Sequence, residues 1–600
     1  MDTVATNVTS TKVIAGTLSD TNLVIVSSIT IIAIAGIGFL IWYLVKRSRE
    51  PSIKIHYGYS EFLSHIPVRA GNKLVEYKRP ETVANPALLL WNDDLARELK
   101  IEKLKNATLY LAGSKLLKGS KSAALAYSGH QFGQFNTLGD GRALLLGTVM
   151  VPNGAYAIPV HMQLKGTGPN SFSRNGDGLL PVGPALREML MSEAMYGLKI
   201  PTIRCLSVVA TGRKLRPRKA GDVDVQGAVL CRMLKSMERV GTFEHVAQNA
   251  PIKEDDGTRD YSGLKLLADF VIQNYFNGLH QTITGKRRNT SIYGDLALAS
   301  AKKNAKTVAL CMTYGFVHGV WNTDNVLVTG DIIDYGPCAF LDNFGMDTVF
   351  SSIDKGNRYG YGKQPDIMLW NMHKLLDVLK LLIEHEPEPP FDQPGTWKKR
   401  LDKAYDSEFK RVFLQKMMAR LGVQWKSGMA KSVSGMYQES EAEIEKDEAF
   451  ISQYLQALQE NKQDYNDSFL KLEAYLEQMD QIPGKESTGA PFIFWLEKNG
   501  DWMKQWRARL KNNKAMQDGN IFFTPVTEEN YKQEALKIMH SANPRFIPRN
   551  HDINRLTEHG RQLELDLALK LLRNPWTNNG QGMFKAPNRL EASTVTFCGT

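Results

Sequence analysis

VHGVWNTDNVLVTGDIIDYGP, residues Val317–Pro337, is the stretch whose reading decides the fold. Val326–Val328 and Asp331–Ile333 are β-prone runs on either side of Thr329-Gly330, a two-residue turn. Pairing across that turn sets Val328 opposite Asp331 and Asn325 opposite Asp334, about 4.5–5.5 Å apart at Cα. An amide oxygen and a carboxylate so placed can share one hard cation. Mg²⁺ suits them, with Mn²⁺ as a substitute, because it takes one or two protein oxygens and fills its other positions with water and phosphate. Asp324 lies beside such a metal without having to bind it, where a base acting on an attacking hydroxyl belongs. Taken alone, an ordinary hairpin with polar ends accounts for the same residues.

The order is more telling. Asp324, Asn325, a hairpin and then Asp334-Tyr335-Gly336 resembles the catalytic loop and Asp-Phe-Gly element of protein kinases, although here Asn follows Asp directly and no Arg follows His318. Such a site needs a glycine turn, a strand lysine and a helix glutamate upstream. In TLGDGRALLLGTV, Gly139, Gly141 and Arg142 open an apolar strand. Asn153-Gly154 is a strong hairpin turn, and the return strand runs from about Ala155 to Lys165. Glycine turns let backbone N–H groups approach phosphate. These glycines lead into a strand rather than a helix, which excludes a dinucleotide-binding unit.

A polar loop containing Asp177-Gly178 follows, and Pro184 starts a helix running to about Leu198. That helix offers Lys165 two partners. Glu193 shares the face of Leu186, Met189 and Leu190, where a carboxylate needs a counter-charge; Glu188 lies elsewhere, and the residues alone leave the choice open. Arg232 and Arg239, seven apart, are one-sided if helical and solvated by default. His318 reads as structural. Asn85–Lys100 has helical spacing, and from about Asp260 the chain is mainly helical.

The 600 residues exceed one compact domain, and 43% hydrophobic with 23% charged residues is a globular composition. A net charge of +11 favours anionic partners such as nucleotides. The basic residues are dispersed, so no nucleic acid is expected. Five cysteines without a CxxC argue against a zinc site or a disulfide framework. Residues 23–45 read as a transmembrane helix, with 1–22 a short non-cytosolic tail and 46–84 a juxtamembrane connector. Lys46, Arg47 and Arg49 place the catalytic part in the cytosol, with a mitochondrial location as the alternative.

YSGHQFGQFNTLGDGRALLLG, LKGTGPNSFSRNGDGLLPVGPALREMLMSEAM, HGVWNTDN, DYGPCAFLD and NPRFIPRNH together resemble the selenoprotein O family, kinase-fold protein adenylyltransferases. The resemblance runs from about Asn85 to Thr600. It implies an α+β, bilobal, protein-kinase-like fold with a β-rich N-lobe (85–250) and a mainly α C-lobe (251–600) carrying a helical insertion at 438–478. It also implies transfer of AMP from ATP to Ser, Thr or Tyr hydroxyls of proteins. Gly139, Gly141, Arg142, Lys165, Asp177, Gly178, Arg232 and Arg239 would contact the nucleotide, which overturns the solvated reading of the two arginines. Asp324 would accept the proton, Asn325 and Asp334 would bind the metal, and Glu188 is favoured as the partner of Lys165. Animal members place selenocysteine near the C-terminus, where this chain has Cys598. A γ-phosphate-transferring kinase and a membrane-tethered pseudokinase scaffold are the alternatives.

Overall fold

Residues 143–165 build the centre of the sheet as their pattern predicts. The two apolar runs pair from Ala143 opposite Lys165 to Asn153 opposite Tyr156, so Asn153 ends the first strand and the reversal falls one residue later than the expected Asn153-Gly154 turn. The computed structural model describes residues 53–154, 156–215, 225–280, 290–386, 396–425, 441–479, 491–498, 500–516, 523–525, 530–578 and 582–584. Among these, nine strands form one sheet: β1 (Val75–Tyr77), β2 (Ala87–Trp91), β3 (Ala123–Gln131), β4 (Gln134–Gly139), β5 (Ala143–Asn153), β6 (Tyr156–Lys165), β7 (Leu180–Pro181), β8 (Arg204–Leu215) and β9 (Val225–Leu234). Every pairing is antiparallel, in the order β1-β3-β5-β6-β9-β8-β2, with β4 on β3 and β7 on β9.

Both faces of the middle of this sheet are buried, so β5 and β9 read as near-continuous apolar runs. In β9, Val229, Cys231 and Met233 join Trp91, Leu95 and Leu104 in one core, while Ala228, Leu230 and Leu234 join the larger core. That alternation is the two-residue period of a strand. It puts Arg232 on the face that α1 (Val182–Gly197) covers, and the pairing of Lys165 with Leu230 puts Lys165 there too. Next come α2 (Val240–Gln248), α3 (Ser262–Tyr275), α4 (Ile292–Thr313), α5 (Gln364–Ile383), α6 (Thr396–Arg420), α7 (Glu441–Glu460), α8 (Tyr465–Gln478), α9 (Asn550–His559) and α10 (Gln562–Leu572). The architecture is mixed α/β, an antiparallel sheet with many helices.

Two local expectations change. Residues 85–100 are not one helix, because Ala87–Trp91 pairs with β8. Asn92 ends that strand by donating from Nδ2 to Cys205 O (3.0 Å) and caps the helix Asp93–Leu99 by accepting from Leu95 N (2.9 Å). The hairpin at 326–333 is reduced to a single bridge, Val326 opposite Ile332, one residue out of the expected register. Neighbouring segments take up its backbone: Val240 N donates to Val326 O (2.9 Å), Val328 N to Glu238 O (3.0 Å), and Ile203 N to Ile332 O (3.0 Å).

The single-pass membrane placement is corrected. Among the described residues no helix is long and apolar enough to cross a membrane. The long ones carry charge throughout, as with Lys302, Lys303 and Lys306 in α4, which a bilayer core would penalise. The stretch expected to span, 23–45, the tail before it and Cys598 lie outside the described residues. Membrane attachment, and the cytosolic orientation inferred from it, therefore have no support in the fold.

Candidate active site

Lys165 ends β6 one strand from the glycine turn, and its Nζ donates to Glu188 Oε2 (2.8 Å) and Asp334 Oδ1 (2.7 Å). The choice left open on α1 is resolved by what each carboxylate meets. Glu193 accepts from Arg204 Nε and Nη2 (2.7 Å each) and from Arg573 Nε (2.9 Å). Arg232 is buried in the interior strand β9 rather than solvated; its Nε donates to Glu188 Oε1 (2.5 Å) and its Nη2 to Asp334. Arg239, also buried, precedes α2, so the two arginines do not share a helix. Its guanidinium lies over the Tyr127 ring (4.2 Å), 3.6 Å from Asp140 Oδ1 and 3.9 Å from Asp334 Oδ2.

Three cations thus converge on Asp334. Desolvation would raise its pKa, but Arg232, Lys165 and Arg239 outweigh it and hold the carboxyl well below the usual range. Asp140 sits between the turn glycines and accepts from Gln163 Nε2 (3.0 Å); burial raises its pKa against the pull of Arg239 and Arg232.

The glycines make room for a loop. A Cβ on Gly139 would lie 2.4 Å from Phe172 Cγ, and one on Gly141 2.5 Å from Phe172 O. That loop is tied down by Asn170 Nδ2 donating to Asp140 O (2.8 Å) and closes where Gly168 N donates to Gly178 O (3.0 Å). Gly178 has φ +66°, which favours glycine. Asp177 is exposed and accepts from Leu179 N (2.9 Å), a local turn outside the ion cluster. Arg142 accepts at its carbonyl from Gly166 N (2.6 Å).

Asp324 lies in a single 3₁₀ turn, Thr323–Asn325, and is buried. Its Oδ2 accepts from Gln131 Nε2 (3.2 Å), whereas its Oδ1, equally buried, has no hydrogen-bond partner among the described residues. Burial pushes its pKa up to about 6 against opposing hydrogen bonds, near the range a general base uses. Asn325 donates from Nδ2 to Val320 O (3.0 Å), a bond that does not use its Oδ1. Asp334, with φ +64°, keeps an ionised, partly exposed carboxylate. An amide oxygen and a carboxylate held ionised are hard-oxygen donors of the kind a divalent cation takes, and the Asp324 oxygen is left for the proton. His318 is structural, as its isolation suggested: its ring contacts Ile333 O through Nε2 (3.1 Å) and stacks on Trp321, and burial lowers its pKa to about 4.

Comparison with known proteins bears on this geometry. The family model described as protein adenylyltransferase SelO matches residues 61–574. The chain belongs to the SelO family. It is 34% identical over 531 residues to proteins named protein nucleotidyltransferase YdiU from Bacillus thuringiensis (strain Al Hakam) and Bacillus cereus (strain AH820), covering 87% of this chain and 94% of each relative. The same name, identity and coverage recur in Bacillus anthracis. As a SelO member the chain is a nucleotidyltransferase, an enzyme class that uses ATP and a divalent metal.

Within this SelO chain, sequence reasoning missed the device that holds Glu188. Its neighbour Arg187 donates from Nη2 to Asn550 Oδ1 (2.7 Å) and from Nη1 to Asn554 Oδ1 (3.1 Å). The NPRFIPRNH motif therefore braces the helix carrying the lysine's partner, with Arg549 donating to Leu341 O (2.7 Å). Asp140 and Gln131 were also missed, although both stand inside motifs that carried the resemblance.

Proposed function

We propose that the protein transfers AMP from ATP to Ser, Thr or Tyr hydroxyls of other proteins and releases pyrophosphate, on a bilobal kinase-like fold with residues 85–250 as N-lobe and 251–600 as C-lobe. The observation that carries this is the buried cluster in which Lys165 bridges Glu188 and Asp334 (2.8 and 2.7 Å). Three cations fixed around one carboxylate are preorganised for polyphosphate, and such charge stabilisation usually dominates phosphoryl chemistry.

Asn325 Oδ1 and Asp334 would hold Mg²⁺, or Mn²⁺, whose charge would offset that of the phosphates. The acceptor oxygen attacks the α-phosphorus, the bond to the β-phosphate oxygen breaks, and the hydroxyl proton passes to Asp324. Lys165, Arg232 and Arg239 stabilise the negative charge that leaves on pyrophosphate. Gly139, Gly141, Arg142, Asp177 and Gly178 line the nucleotide from the turn and the loop packed on it. Incubating an acceptor protein with ATP labelled at either the α- or the γ-phosphate tests the reading. Label from the α-position is expected on the acceptor; label from the γ-position alone would make the protein a kinase, and none from either would favour a nucleotide-binding scaffold.

A further inference from the structure

The turn between β3 and β4 grips the 322–324 segment. His130 N donates to Thr323 Oγ1 (2.8 Å), Gln131 Nε2 to Asp324 Oδ2 (3.2 Å), and Phe132 N to Asn322 Oδ1 (3.3 Å). Three consecutive residues thus hold three consecutive residues. Phe132 adopts φ +51°, an uncommon conformation for a bulky residue. It is held there because its N–H also reaches Tyr359 OH (3.2 Å), and strain of this kind persists where the surroundings over-determine it. Gly129 brings bare backbone against the carboxylate, since a Cβ there would lie 2.5 Å from Asp324 Oδ1.

The amide of Gln131 has one sensible orientation. A carboxylate on one side requires Nε2, and Arg174 Nη1 on the other (3.3 Å) requires Oε1. Arg174 belongs to the loop that packs on the glycine turn, so one half-buried amide joins the nucleotide loop to the base. With Oδ2 engaged, Oδ1 is the oxygen left to take a proton.

We propose that Gln131 is a positioning residue for Asp324, holding Oδ2 and with it the orientation of the carboxyl that takes the acceptor proton; this rests on the AMP-transfer reading above. Gln131→Met keeps the length of the side chain and removes the donor, and Gln131→Glu keeps its shape while removing the same donor. Both are expected to lower kcat for AMP transfer about 10–100-fold, the scale of a misplaced catalytic group, with ATP binding unchanged. In an Asp324→Asn background neither should lower the residual rate further, because residues acting as one unit are not additive. Wild-type kcat in both variants, equal losses in the two backgrounds, or ATP affinity falling in step with kcat would each overturn the assignment. A wild-type protein that transfers no AMP would sink the reading beneath it instead.

Discussion

Glu188 and Glu193 lie on one helix, both buried, each between two cations, and their surroundings differ in one respect. The cations of Glu188, Lys165 and Arg232, also contact Asp334, whose side chain is 27% exposed. The cations of Glu193 lead elsewhere: Arg204 to Glu98 (2.8 Å), and Arg573 to Asn92 and Asp94. One cluster opens onto a partly exposed carboxylate; the other joins three distant parts of the chain. A buried ion pair is therefore read by where the remaining donors of its cations point, and its burial alone says little.

The sharpest test of that distinction is Lys165→Met. It removes a fixed charge and leaves Asp334 one cation short, so AMP transfer should fall about 10²–10³-fold, measured as kcat on a fixed acceptor. Comparable loss in Arg204→Met, assayed on the folded fraction, would erase the distinction. Glu193→Gln should act on stability instead. It leaves two arginines short of a buried counter-charge, a change typically costing about 3–5 kcal/mol, seen as a lower unfolding midpoint with activity per folded molecule retained.

The smallest effect concerns Glu238, beside Arg239 but outside both clusters. Burial raises its pKa to about 7, against hydrogen bonds from its own and neighbouring backbone that lower it. A carboxyl with a raised folded pKa binds a proton that the unfolded chain has released, so its contribution is complete below about pH 4.5 and is lost as pH rises through about 7. Glu238→Gln should flatten that fall by about 2–3 kcal/mol between pH 5 and 8. Parallel stability curves for the two proteins would contradict the assignment.

Much of this was legible in the sequence where local chemistry decides. The hairpin near Asn153-Gly154 forms with its turn one residue on, the helix expected from Pro184 begins two residues earlier at Val182, and the two helices at 441–478 follow their own periodicity. The rest depends on partners far along the chain. Glu188 and Glu193 are five residues apart, about 140° around a helix, and what each meets is set by strands β6, β8 and β9 and by Arg573. Arg232 looked solvated because nothing local shows that its strand is central. The register of 326–333 slipped because backbone contacts from 201–203 and 238–240 replace those of an isolated hairpin.

In the proposed AMP transfer, this cluster presents the α-phosphate of ATP to Asp324. A structure of the protein with Mg²⁺ and a non-hydrolysable ATP analogue tests it most directly. The α-phosphate is expected beside Asp324, with the outer phosphates against Lys165, Arg232 and Arg239. A γ-phosphate facing Asp324, with the nucleotide reversed, would contradict it.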